Sequence, residues 1–217
     1  MNDPVIEIKK FKGCAVVRLQ SGEKIRVPYA LLRERPVKVG EIIEPVLYRE
    51  FIARRGYPHA VDRAVKFLAM RDHSEGELRE KLYTAGYPDA VIDKVLEKLE
   101  TMELVDDEAF ADSWVQSRAH RHGRRRIERE LTQKGVSPDT ARNAVLQLTD
   151  EDQLHDAIRL VSKFLGRTHG AWDRSLYQRT LNMLARHGYD ADIARKAIRS
   201  IAEGADETEE ADTDAEE

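Results

Sequence analysis

Leu104-Val105-Asp106-Asp107-Glu108-Ala109-Phe110-Ala111 opens the stretch on which the fold turns, and Gly123-Arg124-Arg125-Arg126-Ile127 with Leu131-Thr132-Gln133-Lys134-Gly135 closes it. Three acids before an apolar-periodic segment are helix-start chemistry, because carboxylates complement the unpaired amides of a first turn and one of them can cap. Phe110 and Trp114, then Ile127 and Leu131, recur at helical spacing and define a buried stripe. Gly135 follows as a stop signal. The stretch therefore reads as helix, loop, helix, stop.

The stop glycine has counterparts on both sides. Aligned on Gly86, Gly135 and Gly188, the residue four before is Leu82, Leu131 or Leu184, and the residue after is Tyr87, Val136 or Tyr189. Further on, Ile92, Ala141 and Ala194 match, as do Val95, Ala144 and Ala197, then Leu96, Val145 and Ile198, then Leu99, Leu148 and Ile201. Apolar residues at shared offsets over about 50 residues mark a tandem array of helical units, each of three helices. Caps set the expected boundaries: a first repeat over 61–104, a second over 105–148 and a third over 149–202. Ser74-Glu75-Gly76-Glu77 reads as a capping box. Ser137-Pro138 reads as an N-cap with proline in the first turn, and Thr149 or Asp150 starts the third repeat.

Residues 1–60 differ. Val5, Ile6 and Ile8, then Ala15, Val16, Val17 and Leu19, then Ile25 and Val27 are punctuated by Ser21-Gly22 and end at Pro28, the pattern of short strands. A further extended piece is expected over Val37–Ile43, and a helix from about Pro45 to Arg55 with Gly56 after its end. The expected class is mainly α: three three-helix repeats in an elongated, curved array, with a small N-terminal antiparallel β module. Residues 203–217 hold nine acids and no large apolar side chain, a composition expected to be disordered.

The formal net charge of −4 conceals a partition of +5 over 1–60, −2 over 61–148, +2 over 149–202 and −9 over 203–217. A basic body can thus coexist with an acidic chain, and the tail could fold back on a cationic face and mimic a polyanion. No apolar run reaches the roughly 20 residues that cross a bilayer. Charges at Asp3, Glu7, Lys9 and Lys10 speak against a signal peptide. The lone Cys14 precludes an internal disulfide, so a cytoplasmic protein is expected.

The residues offer little for catalysis. His120 and His122 are two apart, where a helical zinc pair needs three or four. The remaining histidines are scattered, and there is no glycine-rich phosphate loop and no recognisable nucleophile setting. No cofactor and no enzymatic activity are expected. Trp114 and Trp172 read as core anchors rather than stacking platforms. The densest positive charge is Arg118, Arg121, Arg124, Arg125, Arg126 and Arg129, all arginine, the side chain suited to bidentate recognition of carboxylate or phosphate. At about 100° per residue, Arg125, Arg126 and Arg129 fall away from the Ile127–Leu131 stripe. Arg124 falls on its inner edge, and Arg118 continues the line of Phe110 and Trp114. These six arginines are the candidate partner- or nucleic-acid-binding residues.

The combination resembles the RecX family, regulators of the RecA recombinase. It rests on Ala64 to Leu68, Arg71 with Ser74-Glu75-Gly76-Glu77-Leu78 and Leu82, and Asp106-Asp107-Glu108-Ala109-Phe110-Ala111. Gly123 with Arg126-Ile127, then Glu130-Leu131 and Lys134-Gly135 complete it. It covers about residues 60–202; the N-terminal β module is similar to an extension found in some members, and the acidic tail is a departure. The resemblance implies a monomeric regulator that binds in the groove of the RecA–single-stranded-DNA filament. There it would suppress ATP hydrolysis, strand exchange and SOS co-protease activity in DNA repair, with weak or indirect DNA contact. A stand-alone DNA-binding protein using the arginine face is the rival reading.

Overall fold

A computed structural model describes residues 2–167 and 173–213, with side chains as far as Glu203. The chain forms two compact units, 1–107 and 108–217. Unit 1 starts with an antiparallel sheet of β1 (Asp3–Lys10), β2 (Cys14–Leu19), β3 (Lys24–Pro28) and β4 (Ile42–Ile43), in the order β3-β2-β1-β4. Three of these strands follow the sequence alternation. The fourth reduces the extended piece expected over Val37–Ile43 to two residues, paired with Asp3 and Pro4. The crossing from the sheet towards α2 is made by the six-residue helix α1 (Tyr29–Glu34), which begins where Pro28 withdraws a donor from the ladder.

Helix α2 (Pro45–Leu68) corrects the expected stop at Gly56: it runs on through Gly56 and Pro58. An interior proline costs about 3 kcal/mol. The half beyond it, however, buries Ala60 and Ala64 and packs Val61, Phe67 and Leu68 on the next core. Large side chains contribute about 1.5–3 kcal/mol each when fully buried, so continuing the helix is the cheaper state. Gly56 is a packing point: a Cβ there would lie 3.6 Å from both Leu31 and Tyr87. The first half of α2 buries Tyr48 and Ile52 against the sheet with Val5, Val17, Leu19 and Val27. The boundary expected between 60 and 61 thus falls inside one helix that serves two cores.

The repeats are α2 with α3 (Glu75–Thr84) and α4 (Asp89–Thr101); α5 (Asp107–Arg118), α6 (Arg124–Gln133) and α7 (Pro138–Val145); and α8 (Asp150–Leu165), α9 (Arg174–His187) and α10 (Ala191–Thr213). The three aligned glycines all take left-handed backbone, with φ of 91° at Gly86, 83° at Gly135 and 88° at Gly188. Each sits in the same double closure. The following amide (Tyr87, Val136, Tyr189) donates to the carbonyl of Leu82, Leu131 or Leu184, at 3.2, 3.2 and 3.1 Å. The glycine amide donates three residues back. The aligned leucines are fully buried, and the other aligned positions are buried except Leu148 and Ile201, which are half-buried.

The caps fall where the sequence places them at Ser74, Ser137 and Thr149, whose hydroxyls accept from the amides of Glu77, Thr140 and Asp152. Asp107 does something else. Its Oδ1 accepts from the Glu75 amide at 2.8 Å, so an acid at the start of α5 caps the N-terminus of α3. Burial pushes its carboxyl up, the Glu75 amide pulls it down, and neighbouring Glu75, Asp106 and Glu100 leave it above the usual carboxylate range. At the other end, α10 extends to Thr213, into the segment composition assigns to disorder. Alanine and glutamate there are good helix formers, and extending an existing helix avoids the cost of nucleation. Trp172 lies outside the described residues.

Gly86 also marks a close approach, because a Cβ there would sit 2.6 Å from the Cys14 Cβ. Gly86→Ala adds that overlap to left-handed strain and should lower the unfolding free energy by about 3 kcal/mol. Gly22→Ala has the same backbone sign, φ 92°, but nothing within 4 Å. It should lose only about 1 kcal/mol, and denaturant midpoints of the two variants measure the difference.

Candidate functional site

The arginine cluster lies in unit 2, on α5, on the loop 119–123 and on α6. What positions it is a backbone contact between glycines. The Gly123 amide donates to the His187 carbonyl at 2.9 Å, and the Arg125 amide donates to the Gly188 carbonyl at 3.3 Å. A Cβ on Gly123 would lie 2.3 Å from the Gly188 oxygen, and one on Gly188 would lie 2.4 Å from the Arg126 Cβ. The start of α6 is therefore pressed directly on the left-handed corner of the third repeat.

Arg124 is part of that joint. Its amide donates to Gln153 Oε1 at 3.0 Å, its Nε donates to the Leu148 carbonyl at 2.9 Å, and its Nη1 pairs with Asp150 at 2.6 Å. The Leu148 carbonyl also takes an Nη2 bond. Arg125 pairs with Asp190, beside Gly188, while its side chain stays mostly exposed. Arg126 pairs with Glu130 at 3.0 Å, and Arg118 reaches the same carboxylate at 3.7 Å. The outward direction of Arg125 and Arg126 thus comes with partners that the helical angle alone did not suggest.

Around Glu130 a small aromatic–cation assembly forms. Trp114 Nε1 donates to Glu130 at 3.3 Å and the indole stacks on Phe110, with centroids 6.0 Å apart. The Arg118 guanidinium lies 4.5 Å and the Lys134 ammonium 4.2 Å from the indole centroid. Trp114 is half-buried, its apolar body in the α5–α7 core with Ile127, Leu131 and Ala141. Burial pushes the Glu130 carboxyl up, but Arg126, Arg118, His122 and Trp114 outweigh that and hold it below the usual range.

Two arginines of the six remain. Arg121 and Arg129 are exposed, and among the described residues neither side chain takes an ion pair. Arg121 contributes only its backbone to the scaffold: its amide donates to the Arg118 carbonyl at 2.9 Å and its carbonyl accepts from His187 Nδ1 at 3.1 Å. The sequence reading missed the contact of His122 with His187, whose ring centroids are 5.6 Å apart. It also missed the capping of the α6 amide by Gln153. Neither has a local signal, since the partners lie some 30 to 65 residues away. Among the described residues no group of three or more His, Cys, Asp or Glu could hold a metal ion, and no helix is long and apolar enough to cross a membrane.

These features define a class: tandem three-helix repeats, the second and third meeting glycine to glycine with cations gathered at that joint. Comparison with known proteins gives it a family. The model of the second three-helix domain of RecX matches residues 106–145, and that of the first matches residues 60–99. "Regulatory protein RecX" of Geobacillus thermodenitrificans is 31% identical over 198 residues, 90% of this chain and 72% of that protein. The protein of the same name from Thermobifida fusca is 34% identical over 149 residues, 68% of this chain and 80% of its own. A crystal structure of regulatory protein RecX shares the fold, with a TM-score of 0.62 at 22% identity over 89% of this chain and 97% of that one. The chain belongs to the RecX family.

Two expectations separate scaffold from surface. Arg124→Ala strips partners from the part-buried Leu148 carbonyl and should cost about 1 kcal/mol, whereas Arg129→Ala should stay within about 0.5 kcal/mol, both read by urea unfolding. For Glu130 the folded carboxyl sits below its unfolded value, so its contribution is present above the unfolded pKa and lost as pH falls through the folded one. The stability gap between the native chain and Glu130→Gln should therefore be widest near neutrality and shrink below about pH 4, as thermal melts across pH would record.

Proposed function

We propose that this chain regulates the RecA recombinase by binding in the groove of the RecA–single-stranded-DNA filament. It restrains ATP hydrolysis, strand exchange and SOS co-protease activity there without chemistry of its own. In this reading it acts in the cytoplasm, as a monomer, and touches DNA weakly or through RecA. The observation that carries the reading is the pair Arg121 and Arg129, exposed cations without ion-pair partners among the described residues, in a chain of the RecX family. Side chains held by other bonds lose affinity to those bonds before they can give it to a partner. Guanidinium groups without such bonds, Arg121 on the loop before α6 and Arg129 on α6, do not, and they suit the carboxylates and phosphates of a nucleoprotein surface. Arg118, Arg125 and Arg126, each already paired, stand as secondary contacts whose partners can exchange on binding. Arg124 is the member of the set whose loss would act through the fold.

The test is a RecA ATPase assay on single-stranded DNA. The native chain should inhibit at ratios near one per several RecA subunits, and the double variant Arg121→Glu/Arg129→Glu should need about tenfold more protein while melting at the native temperature. Equal inhibition by that variant removes these two residues from the reading. Absence of inhibition by the native chain removes the RecA reading itself and leaves the stand-alone DNA-binding rival, which a shift of naked DNA with a steep salt dependence would support.

A further inference from the structure

Beside the glycine joint lies an open cleft of about 860 Å³, lined by the loop after α5, by α8 and by the end of α9. The loop brings His120, Arg121 and His122, α8 brings Arg159 and Lys163, and α9 brings His187. One carboxylate, Asp156, lines it as well, buried and engaged by Arg159 at 3.0 Å and by His120 at 3.6 Å. Against it stand three permanent cations, Arg121, Arg159 and Lys163, so the cleft keeps an excess of two positive charges before any histidine is protonated. Such an excess on a folded surface is left for a counter-charge.

The histidines show where that counter-charge would sit. His122 is only 9% exposed, and its Nδ1 is buried with no hydrogen-bond partner. A buried imidazole nitrogen without a partner is uncommon, and this one belongs to a ring that lines the cleft. His187 donates Nδ1–H to the Arg121 carbonyl, and its ring lines the cleft. The loop itself is held, because the His120 carbonyl accepts from Arg159 Nη2 at 2.7 Å and the Arg121 carbonyl from His187. Cations reaching one cavity from a loop and from α8, with an excess of two charges, match a tetrahedral dianion better than a planar carboxylate.

We infer that this cleft between the second and third repeats is a binding site for a phosphate group, with Arg121 and Lys163 as its charged contacts and the rings of His122 and His187 lining it. Burial lowers the readiness of His122 to take a proton, with Arg126, His187 and Arg118 acting in the same direction and Glu130 opposing them. Facing it from α8 and the loop are Asp156, Arg159, Lys163 and His120. A bound dianion reverses the balance, so binding takes up protons and weakens as pH rises.

The inference does not rest on the RecA reading, and its test contains no RecA. The full chain is titrated with inorganic phosphate while the histidine ring signals are followed by NMR. Saturable shifts at His122 and His187 are expected, about tenfold weaker in Arg121→Ala/Lys163→Ala, two exposed positions whose truncation leaves the thermal midpoint unchanged. Sulfate, whose charge does not change in this range, should bind more tightly near about pH 6 than near about pH 8. Short single-stranded oligonucleotides with and without a 5′-phosphate then identify the source. Shifts from both assign a backbone phosphodiester, and shifts only from the phosphorylated strand assign a free or terminal phosphate. No saturable shift with any of these ligands, equal shifts from chloride or acetate, or unchanged affinity in the double variant overturns the site.

Discussion

Everything placed at the candidate site depends on one steric fact: two chain segments approach so closely at Gly123 and Gly188 that neither could carry a Cβ. Gly188 closes α9 in left-handed backbone, and that closure turns its carbonyl outward instead of back along the helix. The start of α6 uses the turned-out groups, with Gly123 donating to His187 and Arg125 to Gly188. Orphan amides of one helix start are thereby satisfied by orphan carbonyls of another helix end. The first unit uses the same device with another partner. There the left-handed corner at Gly86 receives Cys14 and Pro28 from the sheet, and a Cβ on Gly13 would lie 2.3 Å from the Thr84 carbonyl. A repeat protein needs a way for unlike neighbours to meet like ends, and a glycine corner is indifferent to the side chains of what it meets.

The joint also sorts the arginines. Guanidinium groups nearest to it are drawn into it: Arg124 onto the Leu148 carbonyl and Asp150, Arg125 onto Asp190. Their worth differs. Arg124 is partly buried and satisfies a backbone acceptor, which makes its loss expensive, whereas the exposed Arg125 pair is screened by water and salt and contributes little. One turn further, Arg126 shares Glu130 with Arg118 beneath the Trp114 ring. Of the six arginines, Arg121 and Arg129, where the chain leaves the joint on either side, take no ion-pair partner among the described residues. Charge density in the sequence thus overstates the charge available to a partner.

This is also where sequence reading stops being informative. The repeat was legible because its determinants are local: a leucine, a glycine four residues on and an apolar stripe behind it, all within one helical hairpin. Caps at Ser74, Ser137 and Thr149 were legible for the same reason. Gly56 misled because a helix-breaking propensity of about 1 kcal/mol was set against tertiary burial that no local window contains. Asp107 caps a helix 32 residues earlier in the chain, and a helical wheel gives the direction of Arg125 from its own axis but not that Asp190 lies there. The site was therefore located by its charge, while its division into scaffold and surface needed the fold.

The cleft beside the joint follows from the same geometry. Two three-helix units that meet through a glycine corner cannot also mate flush along their helices, so the loop before the joint and the helix behind it leave a gap. The loop carbonyls at His120 and Arg121 are spent on Arg159 and His187, which holds the loop rigid without neutralising it. A carboxylate on α8 would have closed the charge balance, yet Asp156 is already shared between Arg159 and His120. What is left is an excess of positive charge on a loop and a helix tied to each other and to α9 by hydrogen bonds. That is the condition under which an anion is bound at little reorganisation cost. Loops held on a rigid scaffold are where binding residues concentrate, and here the scaffold owes its rigidity to two residues with no side chain at all.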